Sequence, residues 1–599
     1  MERQILSWMM KYPWPSSSRK PLGALATALH VLLRASLSQA LSSADSAFPP
    51  LLDATLADLR FGLDNNHFTS VDLVQAYIDR ISEVNPDLKA VTEINPDALS
   101  IALERDTERR AGIDPAKQPL HGIPILLKNN IATDDEMNNT AGSYALLGAR
   151  VPHDSTIASK LRKAGAIILG KANLSQWAAS REVVLHEGWS AHGGQAVGAY
   201  FPKQNPRGSS SGSAIAASLG LAWAAVGTDT GGSILMPGHA NNVVGFRPTV
   251  GLTSRYLVIP YSLRQDTVGT LTRTVKDAAY LMQAMAGPDK RDNYTDAIPF
   301  DTIPDYVAAC SNSGLKGKRL GVSRNTMAAD IDPSANTDPE AFEKALDVLR
   351  AAGAEIIDNI DLPCNNAPTD QTKGRRSNPA SDNSLAAAMA AIFAIVGADF
   401  LSSLPEKYLS LLKVNPNNIT SVRDLRNFTR DDPQEGFPRF DTTAWDTFLK
   451  LGLTNTDPTY WSNVTAATEF LGPQCFTGAL EKYKLDAMVH PTPYSVVMAA
   501  GLGLPVVSVP LGRAPDDSPI VPSDRGKLML SAPNGPFGIA FSGPAFSEEK
   551  LFAMAYDFEQ RTNVRTSIKP FIAPTTELAH VVRKRCLRDL RGACGKEFK

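Results

Sequence analysis

Apolar positions along this chain follow two different periods. Over residues 69–111 they recur at helical spacing, with Leu73, Tyr77 and Ile81 on one face behind the cap candidates Thr69 and Ser70, and a charged run from Leu103 to Arg110 completes the segment. Pro86 and Pro96 punctuate it. From residue 121 onward short apolar runs alternate with helical stretches: Ile123 to Leu127, a helix near Ser155 to Ala164, Ala166 to Leu169, a helix near Ser213 to Leu221, then Ala222 to Gly227. Strand-like runs return at Ala487 to Val489 and Val506 to Pro510, and Ser547 stands where it would cap a helix with Leu551, Met554 and Phe558 on one face. This alternation predicts an α/β sheet with covering helices. Residues 365–384 are rich in Asn, Pro, Thr, Arg and Ser, which predicts a surface loop or insertion. They are not read as a domain boundary, because the apolar pattern resumes at 385 and the late strands need a sheet to join.

With 599 residues, 43% of them hydrophobic and 20% charged, the composition is that of a soluble globular protein whose length alone suggests two or more domains. Sixty basic against 62 acidic residues leave a net charge of -2, so no broad field argues for nucleic acid or an anionic membrane as partner. The cluster Arg583, Lys584, Arg585, Arg588 and Arg591 reads as a solvated basic tail over 571–599. Five scattered cysteines carry no zinc spacing, so no metal is expected; Cys586 with Cys594 is one pairing open to an oxidising compartment. Residues 1–47 read as an N-terminal extension. Its basic Lys11, Arg19 and Lys20, apolar run Leu22 to Leu33 and small residues near Ser38 to Ala40 resemble a secretory signal, which favours the secretory pathway over the cytoplasm. His30 and Arg34 keep a cytosolic or organelle-targeted extension open as the alternative. Sequons at Asn293, Asn418, Asn427 and Asn463 are compatible with secretion. No other stretch is read as long enough to span a bilayer.

Three stretches carry candidate chemistry. In Leu120-His121-Gly122-Ile123-Pro124-Ile125-Leu126-Leu127-Lys128 a lysine ends an apolar strand. Such a lysine ordinarily marks where a strand surfaces; buried instead, it would lose its charge and become a general base at neutral pH. Gly208-Ser209-Ser210-Ser211-Gly212-Ser213 opens a small-residue helix, placing hydroxyls and N–H groups at a positive helix end. It also matches G-x-S-x-G around Ser210, but Phe201 to Arg207 is too polar for the strand that a nucleophile elbow requires. In Gly227-Thr228-Asp229-Thr230-Gly231-Gly232-Ser233 two glycines before a serine let successive N–H groups converge beside a hydroxyl. Gly165 to Lys171 has phosphate-loop spacing, yet Ala172 replaces the metal-binding hydroxyl and the stretch reads as a strand, so nucleotide binding is discarded.

In order, spacing and flanking sequence these stretches resemble the amidase signature family, as do Gly170 to Ser175, Gly245 to Leu252, Gln265 to Gly269, Thr272 to Ala279, Gly503 to Gly512 and Gly535 to Ile539. The resemblance covers roughly residues 55–565. It implies one large domain over 48–570 with a mixed central sheet covered by helices on both faces, in place of several domains. It further implies that Ser233 is the nucleophile and Lys128 the base, with a cis-peptide Ser209 relaying the proton. The N–H groups of Thr230, Gly231, Gly232 and Ser233 would form the oxyanion hole, the substrate would be a small-molecule amide, and no cofactor is implied. Departures are Arg207 at a customary glycine, Asn129 at a customary aspartate, Thr270 at a customary proline, and Leu235-Met236 where relatives place an arginine. The last shifts the expected acyl group toward neutral and apolar. Set against a stand-alone amidase are the glutaminase-like component of a tRNA amidotransferase and a degenerate amide binder. A Ser-His-Asp hydrolase built on Ser210 with His490 or His580 is the remaining reading. The oligomeric state is left open.

Overall fold

The apolar runs pair into one sheet of eleven strands in the structure, a computed structural model that describes residues 48–328, 338–365, 385–523, 525 and 527–588. In spatial order the strands are Val91–Ile94, Ile167–Ala172, Pro124–Lys128, Ala224–Asp229, Thr267–Thr272, Val244–Arg247, Val506–Arg513, Pro536–Ser542, Ala487–Pro491, Arg319–Gly321 and Glu355–Ile357. The strand carrying Lys128 runs parallel to both neighbours, the centre of the sheet is antiparallel, and the last three strands are again parallel. Every residue of the strands at 124–128, 167–172, 224–229 and 267–272 is buried, which is why these runs lack polar alternation. The chain from Pro50 onward forms one unit, a single domain on a large mixed sheet with covering helices.

Local signals hold in most places and fail in two. Thr69 caps the helix Ser70–Leu88 through a reciprocal box with Asp72, and Pro86 sits in its last turn. The segment 69–111 is not helical throughout, however: Val91–Ile94 is an edge strand paired antiparallel with residues 170–172, and helix resumes only at Ala98–Arg110. Its β-branched Val-Thr and Ile suit a strand once a neighbouring edge is available. Ser547 stands at the start of Glu548–Thr562, but its hydroxyl donates to Pro544 O at 2.6 Å and does not cap the helix.

After the insertion, of which residues 366–384 lie outside the described residues, a helical lobe begins with Leu385–Lys407. By length and composition alone this helix is apolar enough to cross a membrane, a test that the core helix of a soluble protein also passes, which is consistent with the expectation of no integral span. One side packs into protein: Ala391, Ile395 and Ala398 meet Tyr460 and Val464, while Phe400 and Leu404 join a core with Trp445 and Phe448. Asp399, buried midway along it, accepts from Ser262 Oγ at 2.7 Å and Tyr460 Oη at 2.8 Å.

The expected C-terminal tail is in part structured. Leu578–Arg588 is a helix with Leu578 and Val582 buried, and Arg585 pairs with Asp72 at 2.8 Å. Residues 589–599 and the N-terminal extension 1–47 lie outside the described residues, as does the Cys586–Cys594 pairing. Cys364 is instead joined to Cys475 in a disulfide with Cα atoms 5.7 Å apart, and Cys310 is free and buried.

Candidate active site

Lys128 is the last residue of its strand and is fully buried. Pairing of Leu127 with Val226 on the neighbouring strand brings its side chain beside Thr228, where Nζ donates to the carbonyl at 3.1 Å and meets Oγ1 at 2.8 Å. Nζ also lies 2.7 Å from Ser209 Oγ. Loss of water pushes the lysine from its ordinary 10.5 down to about 7, against the opposing pull of Asp229 and Asp266. The neutral form is therefore accessible near pH 7, which makes the amine able to accept a proton.

The serine-rich loop is held from several sides. Arg207 takes a left-handed φ of 57°, the conformation that explains why glycine is customary there, and its guanidinium turns to Glu187 at 3.4 Å. The Gly208–Ser209 peptide is cis. Ser209 is fully buried and its carbonyl accepts from the Ser175 N–H at 3.0 Å. Ser210 donates its N–H to Ser233 O and its hydroxyl to Thr228 O, both at 3.0 Å, so the serine loop, the lysine strand and the glycine turn converge.

Asp229 organises the glycine turn. Its carboxylate accepts from Gly232 N–H at 2.8 Å and Ile234 N–H at 2.6 Å, and Arg247, itself fully buried, pairs with it at 2.6 Å. Gly232 N–H, expected among the oxyanion donors, is thereby committed to Asp229. No hydrogen bond occupies the N–H of Gly231 or Ser233 among the described residues. Gly232 has φ +102° and a Cβ there would stand 2.7 Å from Val496 Cγ1, so the turn needs glycine. Thr230 Oγ1 donates to Asp266 at 2.6 Å, and burial raises the Asp266 carboxyl to about 6 although three donors hold it down. Ser233 is half-buried and Gly231 exposed, whereas Lys128 and Ser209 are sealed off.

The other sequence candidates do not meet here. His490 accepts from Ser323 N–H at 3.3 Å, His580 accepts from Glu577 N–H at 3.1 Å at the start of the last helix, and Ser210 has neither as partner. Lys171 is buried, with Nζ on Ile131 O at 2.7 Å and Asn139 Oδ1 at 2.8 Å. No cluster of His, Cys, Asp and Glu suited to a metal ion occurs among the described residues. Sequence reasoning missed the parts played by Thr228, Asp229, Arg247 and Asp266. All four stand in the segments that resemble the family, but only their bonds distinguish them from their neighbours.

A buried lysine, a cis peptide before Ser209 and a glycine turn thus meet on one mixed sheet. The family description Amidase matches residues 72–367. A protein of Arthroderma benhamiae assigned to the amidases is 47% identical over 555 residues, spanning 89% of this chain and 90% of its own. The structure of native peptide amidase from Stenotrophomonas maltophilia superimposes with a TM-score of 0.74 at 35% identity, over 88% of this chain and 99% of that one. A glutamyl-tRNA(Gln) amidotransferase chain from Azorhizobium caulinodans is 38% identical over 52% of this chain and 60% of its own. The chain belongs to the amidase signature family and is an amidase.

Proposed function

We propose that this amidase hydrolyses a neutral carboxylic acid amide through an acyl-ester on Ser233. The reading is carried by one observation, the buried Lys128 Nζ within 2.7 Å of Ser209 Oγ. Ser233 Oγ attacks the carbonyl carbon while its proton passes to Ser209, whose own proton passes to neutral Lys128; Ser209 stays neutral, and the Lys128 ammonium that results balances the charge of the oxyanion. The N–H groups of Gly231 and Ser233 hold the oxyanion, with Thr230 beside them. Collapse breaks the C–N bond, the proton returns through Ser209 to the leaving nitrogen, and water then splits the ester by the same path to give acid and amine.

Met236 and Val496 flank the glycine turn, which supports an apolar acyl side, and the likeness to peptide amidase over most of both chains supports a peptide carboxamide as the substrate class. The Cys364–Cys475 pair supports passage through an oxidising compartment. The test is intact-protein mass spectrometry after exposure to fluorophosphonates and to a panel of peptide, aryl and fatty acyl amides, with Ser233→Ala and Lys128→Ala alongside. The expected result is one adduct on Ser233, absent in the serine variant and strongly slowed in the lysine variant. Labelling of Ser210, or a lysine variant as fast as the parent, would overturn the mechanism.

A further inference from the structure

The geometry points to Glu435, contributed by the helical lobe, as a positioning residue for the relay serine; this rests on the Ser233, Ser209 and Lys128 reading above. Glu435 closes the short turn Pro433–Glu435 and is fully buried. Its Oε1 accepts from Ser143 Oγ at 2.6 Å and Tyr144 N–H at 2.7 Å, and its Oε2 from Gln176 Nε2 at 2.6 Å and Arg181 Nη1 at 3.2 Å. Four donors, one of them a guanidinium, satisfy a carboxylate that would otherwise be costly to bury. Arg181 is locked in turn, with Nη1 on Gln176 Oε1, Nε on Asp441 O at 3.0 Å and Nη2 on Phe440 O.

The segment gripped in this way has a backbone that does not persist unaided. Trp177, Ala178 and Ala179 all take left-handed conformations, with φ of 55°, 54° and 69°, a run that L-residues avoid unless their surroundings hold it. The lobe supplies the other anchor, because Trp177 packs edge-on against Trp445, whose Nε1 donates to Ser180 Oγ at 3.3 Å. The residue directly before Gln176 is Ser175, and its N–H is the donor to Ser209 O at 3.0 Å. Ala178 lines the same crevice as Thr228, Thr230 and Asp266. A continuous path of covalent and hydrogen bonds therefore runs from Glu435 through Gln176 and Ser175 to the relay serine. Glu435 touches no reacting atom, and its effect is on where Ser209 stands between Lys128 and Ser233.

The bonding pattern suggests a swap as the test. With Glu435→Gln and Gln176→Glu together, the new amide still accepts from Ser143 and Tyr144 and donates to the carboxylate at 176, which still accepts from Arg181. Fluorophosphonate labelling of Ser233 is followed in the full chain, per folded molecule, for wild type, Glu435→Gln and the double variant. Labelling of the wild type at Ser233, slowed by Lys128→Ala, reports on the underlying mechanism, so its failure is separable from failure of this inference. Glu435→Gln should label about tenfold more slowly or worse, since misplacement of a reacting group by an ångström costs up to about 100-fold. The double variant should recover to within about threefold of wild type, an outcome that a merely structural loss would not give. A folded Glu435→Gln that labels at the parental rate, or a double variant as slow as the single one, overturns the inference. Where Glu435→Gln does not fold, Gln176→Ala takes its place. It keeps the Arg181–Glu435 ion pair and removes the Gln176 amide with its bonds to Glu435 and Arg181, and the same slowing supports the inference while a parental rate overturns it.

Discussion

Lys128→Met is the perturbation that tests the buried base most directly, because stability and activity should move apart. In the unfolded chain the lysine titrates near 10.5, and in the folded protein at about 7. Between those values the unfolded state holds a proton that the folded state lacks, so the penalty for burying this residue is absent above 10.5 and fully present below about 7. The interval corresponds to a cost of roughly 5 kcal/mol at its full extent, an order-of-magnitude ceiling at about 1.4 kcal/mol per pH unit. Methionine removes the penalty and also three polar contacts, to Ser209, Thr228 O and Thr228 Oγ1, each worth about 1 kcal/mol. The expected outcome is a variant inert to fluorophosphonate whose stability relative to wild type falls by about 1.4 kcal/mol for each pH unit between 7 and 10. Urea unfolding of both proteins at pH 6.5, 7.5, 8.5 and 9.5 measures it. In parallel, wild-type labelling should drop about tenfold per pH unit below 7 and level off above it. A stability difference that does not change with pH, together with labelling that climbs to a midpoint near 10, would refute the reading that burial has discharged this lysine.

Asp266→Asn removes an acid that favours charged Lys128, so the midpoint of the labelling profile should move below 7; the carboxamide still accepts from Tyr261 and Ser262 and can donate to Thr230. A midpoint that rises shows that the acid acts in another way. Gly232→Ala, strained by φ +102° and by Val496, should lower the melting temperature and abolish labelling. Gly231→Ala meets nothing within 4 Å and should fold normally while raising KM, which thermal melts and amide kinetics separate. Non-reducing peptide mapping of the protein from a secreting host should recover Cys364 linked to Cys475, and Cys475→Ala should cost about 2–5 kcal/mol in urea unfolding, as expected for a closed loop of 111 residues.

What the sequence makes legible here is chemistry confined to short strings. Lys128, Ser209 and Ser233 each stand in a local pattern whose composition is odd for a core, and the structure brings the lysine and the serine loop together. The strand Val91–Ile94 is invisible because four residues between two helices carry no period, and only the edge at 170–172 makes them a strand. The commitment of Gly232 N–H could not be foreseen either, since Asp229 reads as one more polar residue in a glycine-rich string. Glu435 and the Cys364–Cys475 pair show the general reason. Their partners are 254 to 292 and 111 positions away, and a lone carboxylate or thiol gives no sign of what it will meet.

On the proposed mechanism the need for a relay follows from two demands that a single pair of groups cannot meet. A nucleophile must be reachable by substrate, and Ser233 is half-buried beside exposed Gly231. A lysine base must be dry enough to be neutral, and Lys128 is sealed below the surface. Direct contact would either wet the amine and restore its charge or bury the hydroxyl beyond reach. Ser209 separates the two environments while keeping them in proton contact, because one hydroxyl accepts on one side and donates on the other. Asp229 stands close to the same lysine and would favour its charged form; pairing with Arg247 and with two N–H groups of the turn offsets that charge and directs it to shaping the oxyanion turn. The same carboxylate that threatens the base therefore fixes the nucleophile, and this coupling ties the placement of Ser233 to the neutrality of Lys128.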